Sequence, residues 1–573
     1  MMIYIVLAFA TALLLALLLT PASIFAAHRF KIVDYPQPEL RGEVNRVLKL
    51  HSAIIPRFGG LAIVLGFFCS SAFINIQLPP YALYSSILLF FLGLWDDIIP
   101  LRPKLKLTIQ ILLCSLAIGL SDLYINQISI LGYILEFSPL LSFLFPLFVM
   151  LGAINAINMI DGMDGLAGGI ALISILMLSY LLFLEINELW CLGLMAISLG
   201  SILGFLKYNS HPAKTFMGDN GSNWLGYIIG LLMVFCMQLE GKAVGSSAIP
   251  LESILLCVAI PTFDTLGVMI YRYKQGKSPM YPDHSHLHHL LKDIGFGQKK
   301  TVMIIYFMSL FLSTIAVLPV AFPKYQIGWI GPIALVMISV ILVLSKFKRS
   351  ARYIKTALKF MSFLEKKKIT GWKLRILHGW ESIHRYSIFL LFFIAILLPT
   401  NPTKQMSITA LVIAGTLFLS LFFRSSPGDF LRALLIAIAG AIILANNNTH
   451  PIRIIIGTGQ IFDLQTIYNQ FFIAMTISTT MYFILTFNRM YLSVSPTDFL
   501  LILIPLAMLA IPNPVRDVYK IDIISARAFI LFLCLRTFVI NHSDNTRRVC
   551  LGALTALGFI GLKGLYDFKF IGG

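Results

Sequence analysis

The sequence predicts an all-α, polytopic transmembrane helical bundle, and three observations carry that prediction. Of the 573 residues, 58% are hydrophobic and 12% charged, where an average soluble domain carries about a quarter charged residues. Apolar runs close to the roughly 20 residues needed to cross hydrocarbon recur along the chain. These runs lack the short alternating segments of a transmembrane barrel. A soluble helical core is the poorer reading, because its helices need charged outer faces.

Taken in order, apolar runs place helices near 3–26, 58–76, 82–95, 105–120, 141–156, 166–184, 189–206, 223–237, 251–271, 301–320 and 328–345. The first run is too long for a signal-peptide core and has no basic start, so it reads as a retained spanning helix. About seven further runs follow near 386–398, 406–423, 430–446, 468–486, 497–512, 522–541 and 549–566. Between the two blocks lies a basic stretch, 346–385, in which Ile354, Leu358, Met361 and Leu364 recur at helical spacing. That pattern suits an amphipathic helix on a membrane surface, or an ordinary basic connection. The domain reading is therefore 1–345, a linker at 346–385, and an additional membrane region at 386–573.

Loop charge sets the orientation. Loops after odd-numbered helices carry Arg29, Lys31, Arg41, Arg46, Lys49, Arg57, Arg102, Lys104, Lys106, Lys207, Lys214, Arg272, Lys274, Lys277, Lys292, Lys299 and Lys300. The intervening loops carry Lys242 and Lys324. The bias puts the N-terminus outside and the odd-numbered loops in the cytoplasm. A net charge of +18 suits loops that face an anionic leaflet and anionic substrates. A chain this apolar is not a nucleic-acid binder. The seven cysteines show no metal or redox spacing and read as small core residues.

Five polar clusters each follow an odd-numbered helix and so gather on one face: "LKLHSAIIPRFGG", "GLWDDIIPLRPKLKLTIQ", "LGAINAINMIDGMDGLAGG", "KYNSHPAKTFMGDNGSNWLGY" and "RYKQGKSPMYPDHSHLHHLL". They supply Asp96, Asp97, Asp161, Asp164 and Asp219, with Asn155, Asn158, Asn209 and Asn220 as neutral oxygens. Hard oxygens with room for water suit Mg²⁺ together with substrate phosphates. His284 and His288 have the spacing of zinc ligands on a helix; the surrounding aspartates favour phosphate binding by His284, His286, His288 and His289 instead. Lys49, Arg57, Lys104 and Lys106 add positive charge for a diphosphate. Glycines permit helix starts close to an anion. Together these groups describe a metal-assisted site for a diphosphate compound at the inner face of a membrane.

The motifs "GLWDDI", "NAINMIDGMDGLAGG", "YNSHPAKTFMGDNGS" and "PDHSHLHH" resemble those of the polyprenyl-phosphate N-acetylhexosamine-1-phosphate transferases, glycosyltransferase family 4. The resemblance covers about 1–345, and its "SHLHH" form is closer to the branch that starts O-antigen, common-antigen or teichoic-acid linkage units. It implies a multi-pass enzyme of the bacterial inner membrane that joins the sugar phosphate of a UDP-N-acetyl sugar to undecaprenyl phosphate and releases UMP. It further implies Mg²⁺, with Mn²⁺ as a substitute, and Asn158 and Asp219 as metal ligands. Asp96 and Asp97 are then the catalytic pair beside the lipid phosphate. Asn155, Asp161, Asp164, Asn209 and Phe216 line the nucleotide side. Lys49, Lys106, His284, His286, His288 and His289 hold phosphate or sugar. A homodimer is compatible with this reading. Two departures stand out: the stretch from Asp34 to Lys49 is longer than the compact family form, and His284 stands where many relatives carry arginine. The competing class is a transporter or flippase of lipid-linked sugars, above all for 386–573. Transporters set their substrates at the midplane on broken helices, whereas these clusters lie in loops on one face.

Overall fold

The computed structural model describes residues 2–345 except 36–53, 73–78, 131–132, 187, 241–248, 279–284, 294 and 322–329. Beyond 345 it describes only 410–411, 414–415, 417–418, 453–455, 461–463, 500, 553 and 556–558. The predicted surface helix at 346–385 lies outside the described residues, as do Lys49 and His284, and the predicted spans beyond it are described only at those scattered positions. The chain divides into two compact units. One holds Met1–Met361 with Ser495–Leu500, the other Ser362–Val494 with Leu501–Gly573. In the second, Arg453–Ile455 and Ile461–Asp463 form a short antiparallel pair.

In the first unit each predicted apolar run overlaps at least one helix. The helices are α1 (Met2–Phe30), α2 (Gly60–Ser71), α3 (Pro80–Ile98), α4 (Pro103–Leu120), α5 (Pro139–Ile160), α6 (Leu166–Ile186) and α7 (Leu189–Asn209). They continue with α8 (Gly218–Glu240), α9 (Leu251–Cys257), α10 (Ala259–Lys274), α11 (Leu287–Asp293), α12 (Gln298–Ala321) and α13 (Ile330–Ser345). Among the described residues eight helices are long and apolar enough to cross a membrane, and α9 with α10 adds a ninth if the bent pair is one span. Two small ladders accompany them: β1 (Val33–Asp34) with β2 (Ile55–Pro56), and the hairpin β3 (Gln127–Ile130) with β4 (Tyr133–Glu136).

The centre of this unit is α6, buried on every face from Leu166 to Phe183. Its polarity is as low inside as outside, so burial is decided by packing and not by an amphipathic stripe. The peripheral helices invert the soluble pattern. Tyr84, Leu88, Phe91 and Trp95 on α3 recur at helical spacing and are all exposed, as are Leu140, Leu144 and Phe148 on α5. An apolar stripe turned outward is stable against lipid and costly in water. Between helices, small residues permit close backbone approach. Gly226 and Gly230 of α8 sit so tightly on Ile154 and Met150 of α5 that an added Cβ would fall 2.6 and 2.8 Å from their Cα atoms.

One predicted helix is corrected. The run 251–271 is not continuous; it breaks at Val258, and its halves meet at 85°. Pro261 is the cause, because a proline ring inside a helix collides with the carbonyl four residues earlier, here Cys257. The freed Cys257 carbonyl accepts a hydrogen bond from Ser174 Oγ of α6 at 2.8 Å. The bend turns α10 and the histidine segment that follows it away from the line of α9.

Candidate active site

The site is built around the first turn of α8. Gly218 has φ +76°, a left-handed conformation open to glycine, and it turns the chain into the helix. The exposed amides of that turn are taken by Asp97, which reaches across from the last turn of α3. Its Oδ1 accepts from Asp219 N (3.0 Å), and its Oδ2 from Asn220 N (3.0 Å) and Asn220 Nδ2 (2.7 Å). This is an N-cap supplied by a different helix. Gly93, one turn earlier on α3, is required for it: any Cβ there would collide with the Asp219 carbonyl. Arg57 Nε stands 3.7 Å from Asp97 Oδ1. Burial opposes the Arg57 charge, but the surrounding carboxylates, Asp97 first, raise its pKa on balance.

Asp96 is used differently from its neighbour. Its Oδ1 accepts from Leu101 N at 2.7 Å, and its Oδ2 lies 2.8 Å from Lys106 Nζ of α4. The same Nζ is 2.7 Å from Asp219 Oδ2. Asn158, near the end of α5, completes the cluster. With its amide turned to satisfy its neighbours, its oxygen accepts from Lys106 Nζ (3.1 Å) and its nitrogen donates to Asp219 Oδ1 (3.1 Å) and Ser222 Oγ (3.0 Å). Four helices thus bring Asp96, Lys106, Asn158 and Asp219 to one point.

The other clusters close around it. The "IPRFGG" and "TFMG" segments run side by side: Phe216 N donates to Pro56 O, Gly59 N to Phe216 O and Gly60 N to Met217 O, at 2.7 to 3.0 Å. The turn after α5 is latched to the loop after α7. Asp164 Oδ2 pairs with His211 Nδ1 at 2.7 Å and accepts from Ala213 N at 3.1 Å. Asn209 accepts from Gly165 N (3.0 Å) and donates to Thr215 O (2.8 Å). Tyr306 of α12 donates to the Gly165 carbonyl. Asp161 ends α5 in the field of this acidic group. Burial first, and then the negative Asp219, push its carboxyl up to about 7, with Arg57 acting in the opposite sense.

The histidine segment meets the same turn. His286 Nδ1 is 2.8 Å from Asp264 Oδ2, and its ring lies parallel to that of His288 with centroids 5.6 Å apart. His288 abuts Gly162, where an added Cβ would fall 2.9 Å from its Nε2. His289 follows, its ring centroid 4.3 Å from that of His288.

These positions show what each expected residue touches. Asp97 is buried and both its oxygens accept from the start of α8, so it caps that helix. Asn209 is buried with both ends of its amide committed, which makes it a brace between the turn after α5 and the loop after α7. Asp164 gives one oxygen to the loop latch. Asn155 donates to Leu151 O of its own helix at 2.8 Å. Phe216 contributes its backbone to the paired segments. Three contributors escaped the sequence reading. Ser222 and Tyr306 carry no local signal. Asp264 did, as a carboxylate inside an otherwise apolar helix.

The comparisons with known proteins point to one family. The model of glycosyl transferase family 4 matches residues 80–237. A probable undecaprenyl-phosphate N-acetylglucosaminyl 1-phosphate transferase of Bacillus subtilis (strain 168) is 32% identical over 322 residues, which are 55% of this chain and 85% of that protein. The chain belongs to glycosyl transferase family 4. The undecaprenyl-phosphate alpha-N-acetylglucosaminyl 1-phosphate transferase of Pasteurella multocida (strain Pm70) is 34% identical over 289 residues, 47% of this chain and 76% of the relative. Its Escherichia coli (strain K12) counterpart is 28% identical over 280 residues, 47% and 74%. This family 4 enzyme is thus a multi-pass membrane phospho-sugar transferase. The stretch matched to the family model runs from α3 into α8 and contains Asp96, Lys106, Asn158, Asp161 and Asp219. The histidine segment lies beyond it.

Proposed function

We propose that the enzyme transfers N-acetylhexosamine-1-phosphate, with N-acetylglucosamine as the sugar, from a UDP-sugar to undecaprenyl phosphate and releases UMP. The reaction would start a lipid-linked cell-envelope glycan at the cytoplasmic face of the bacterial inner membrane. The observation that carries this reading is the cluster of Asp96, Lys106, Asn158 and Asp219 at the start of α8. The relatives named for this activity support it.

The donor set suits a hard divalent cation. It consists of carboxylate and amide oxygens, and the Asp161 carboxyl, raised by burial and by Asp219, calls for more positive charge than Arg57 gives. Asp219 and Asn158 would hold Mg²⁺, which when bound neutralises diphosphate charge. Phosphoryl transfer asks the protein mainly to position groups and balance charge. A lipid phosphate oxygen attacks the β-phosphorus of the UDP-sugar, and the bond from that phosphorus to the bridging oxygen breaks, leaving UMP. With a second pKa of about 6, the attacking phosphate is already anionic. Asp96 takes the residual proton when there is one, and Lys106 beside it offsets the incoming charge. The α8 amides are closed off by Asp97, so the phosphates are met by side chains and not by that helix end.

The test uses membranes containing the full chain, undecaprenyl phosphate, Mg²⁺ and a panel of UDP-N-acetyl sugars, scored for UMP and lipid-diphosphate sugar. UDP-N-acetylglucosamine should give both products. UMP release from none of the sugars would overturn the reading; release from a different N-acetyl sugar alone would change the donor and leave the reaction.

A further inference from the structure

Two cations belong to the acid cluster, and the structure commits them differently. Lys106 has three N–H donors on Nζ, and three oxygens already surround it: Asp96 Oδ2 at 2.8 Å, Asp219 Oδ2 at 2.7 Å and the Asn158 amide oxygen at 3.1 Å. Arg57 carries five donors on a planar fork. Among the described residues its guanidinium forms one ion pair, with Asp97, and the 3.7 Å from Nε to Oδ1 is too long for a hydrogen bond. The base of this side chain is nevertheless fixed. Arg57 N donates to Ile32 O at 3.0 Å, and its carbonyl accepts from Asn220 Nδ2 at 3.2 Å. The carbonyl of Pro56, just before it, accepts from Phe216 N and Thr215 Oγ1 at 2.7 and 3.1 Å. β2 is thereby held between β1 and the segment that leads into α8. Gly218 packs against it: an added Cβ would fall 2.5 Å from the Arg57 carbonyl oxygen. The tip stays open, with 39% of the side chain exposed, in the field of Asp97, Asp219, Asp34 and Asp161. An arginine that served only to neutralise those carboxylates would close on one of them. This one leaves its donors unspent among the described residues.

We propose that Arg57 is a phosphate-binding residue of the transferase site, its guanidinium taking two oxygens of one phosphate group of a substrate. A guanidinium matches phosphate at two points and holds it more strongly than a neutral donor does. That phosphate comes from the UDP-sugar or from undecaprenyl phosphate, and the two sources are separable by experiment. The proposal rests on the transferase reading given above, which brings both phosphates to the acid cluster. Lys106, with its three donors engaged, supplies charge there; Arg57 supplies the contact.

In the experiment, the full chain in detergent is assayed for UMP release, and KM is measured separately for UDP-N-acetylglucosamine and for undecaprenyl phosphate. Arg57→Gln removes both the charge and the fork. It should raise one KM by about 10- to 100-fold, the scale of a hydrogen bond to a charged group, and leave the other unchanged. The KM that rises names the source. Arg57→Lys keeps the charge and loses the two-point fork, so it should restore only part of the affinity. Full restoration by lysine, or two unchanged KM values in Arg57→Gln, overturns the proposal and leaves Arg57 a counter-ion of Asp97. An equal rise in both KM values overturns it too, since damage to the start of α8 would produce that. If Arg57→Gln does not fold, Arg57→Lys decides: a selective rise in one KM supports the contact, and two unchanged values overturn it. A second measurement does not depend on turnover. UDP and undecaprenyl phosphate are each added to the protein, and the rise in melting temperature reports binding. One of the two shifts should largely vanish in Arg57→Gln; two shifts equal to those of the unmodified protein overturn the proposal. If the unmodified enzyme releases no UMP from any UDP-sugar, the transferase reading fails, and the melting shifts still decide whether Arg57 binds phosphate.

Discussion

The end of α3 and the turn after α5 each carry two aspartates, and each divides them in the same way. In "WDDI", Asp97 is spent on the backbone of α8 and Asp96 is left at the site. In "DGMDG", Asp164 gives one oxygen, Oδ2, to His211 and Ala213 and Asp161 is left at the site. The difference lies in the aspartate that remains. Asp96 shares a single lysine, Lys106, with Asp219. Among the described residues Asp161 has no lysine partner; it lies in the field of other carboxylates, and its own carboxyl is pushed up to about 7. Both regions hold more carboxylate than positive charge, that of Asp161 more acutely, which is the condition a cation or a protonated ligand relieves.

The largest expected effect breaks the shared point of the two regions. Asp219→Asn should lower UMP release by about 10²–10³-fold, the scale seen when one electrostatic contributor is removed from an enzyme site. Activity within threefold of the unmodified enzyme would detach the acid cluster from the chemistry. Next comes the division within α3. Asp97→Ala strands two buried amides and should cost about 2 kcal/mol of stability, as loss of a helix cap does, read as a lower melting temperature in detergent. Asp96→Ala should leave melting nearly unchanged and lose turnover. The reverse pattern would exchange the two roles.

A smaller effect tests the latch. Asp164→Ala and His211→Ala should each cost about 1 kcal/mol or less, since His211 is partly exposed, and the double variant should cost no more than the larger single one. Full additivity of melting shifts would show that the pair does not act as a unit. The smallest effect concerns pH. The folded Asp161 carboxyl is raised above its unfolded value, so the folded state binds the extra proton. Stability, measured without divalent metal, should then fall as pH rises from about 4 to about 7 and level off above it. Asp161→Asn should flatten that slope; an unaltered slope would assign it elsewhere.

Much of this was legible in the chain. Spanning helices announce themselves because burial in lipid depends on the composition of a short window, and each predicted run up to Ser345 overlaps a helix, the run 251–271 being split in two. The site inventory was legible for a related reason: carboxylates and histidines beside membrane helices are expensive and stand out. The break at Val258 was readable from Pro261 and went unread because a long apolar run outweighed it. The seven-residue α11 is too short for a periodicity signal, and Tyr306 looks like any other aromatic residue in an apolar helix.

The sequence by itself determined a helical membrane chain with acidic, basic and histidine groups gathered on one face, since those properties follow from local composition and loop charge. Only the tertiary structure decided which members of that inventory hold the fold and which face the site. Asp96 and Asp97 are identical side chains on adjacent residues, about 100° apart around the same helix turn. Their partners are set by contacts as distant as Asp97 with Asn220, 123 residues along the chain. Asp97 is committed to α8, its two oxygens accepting three hydrogen bonds from Asp219 and Asn220.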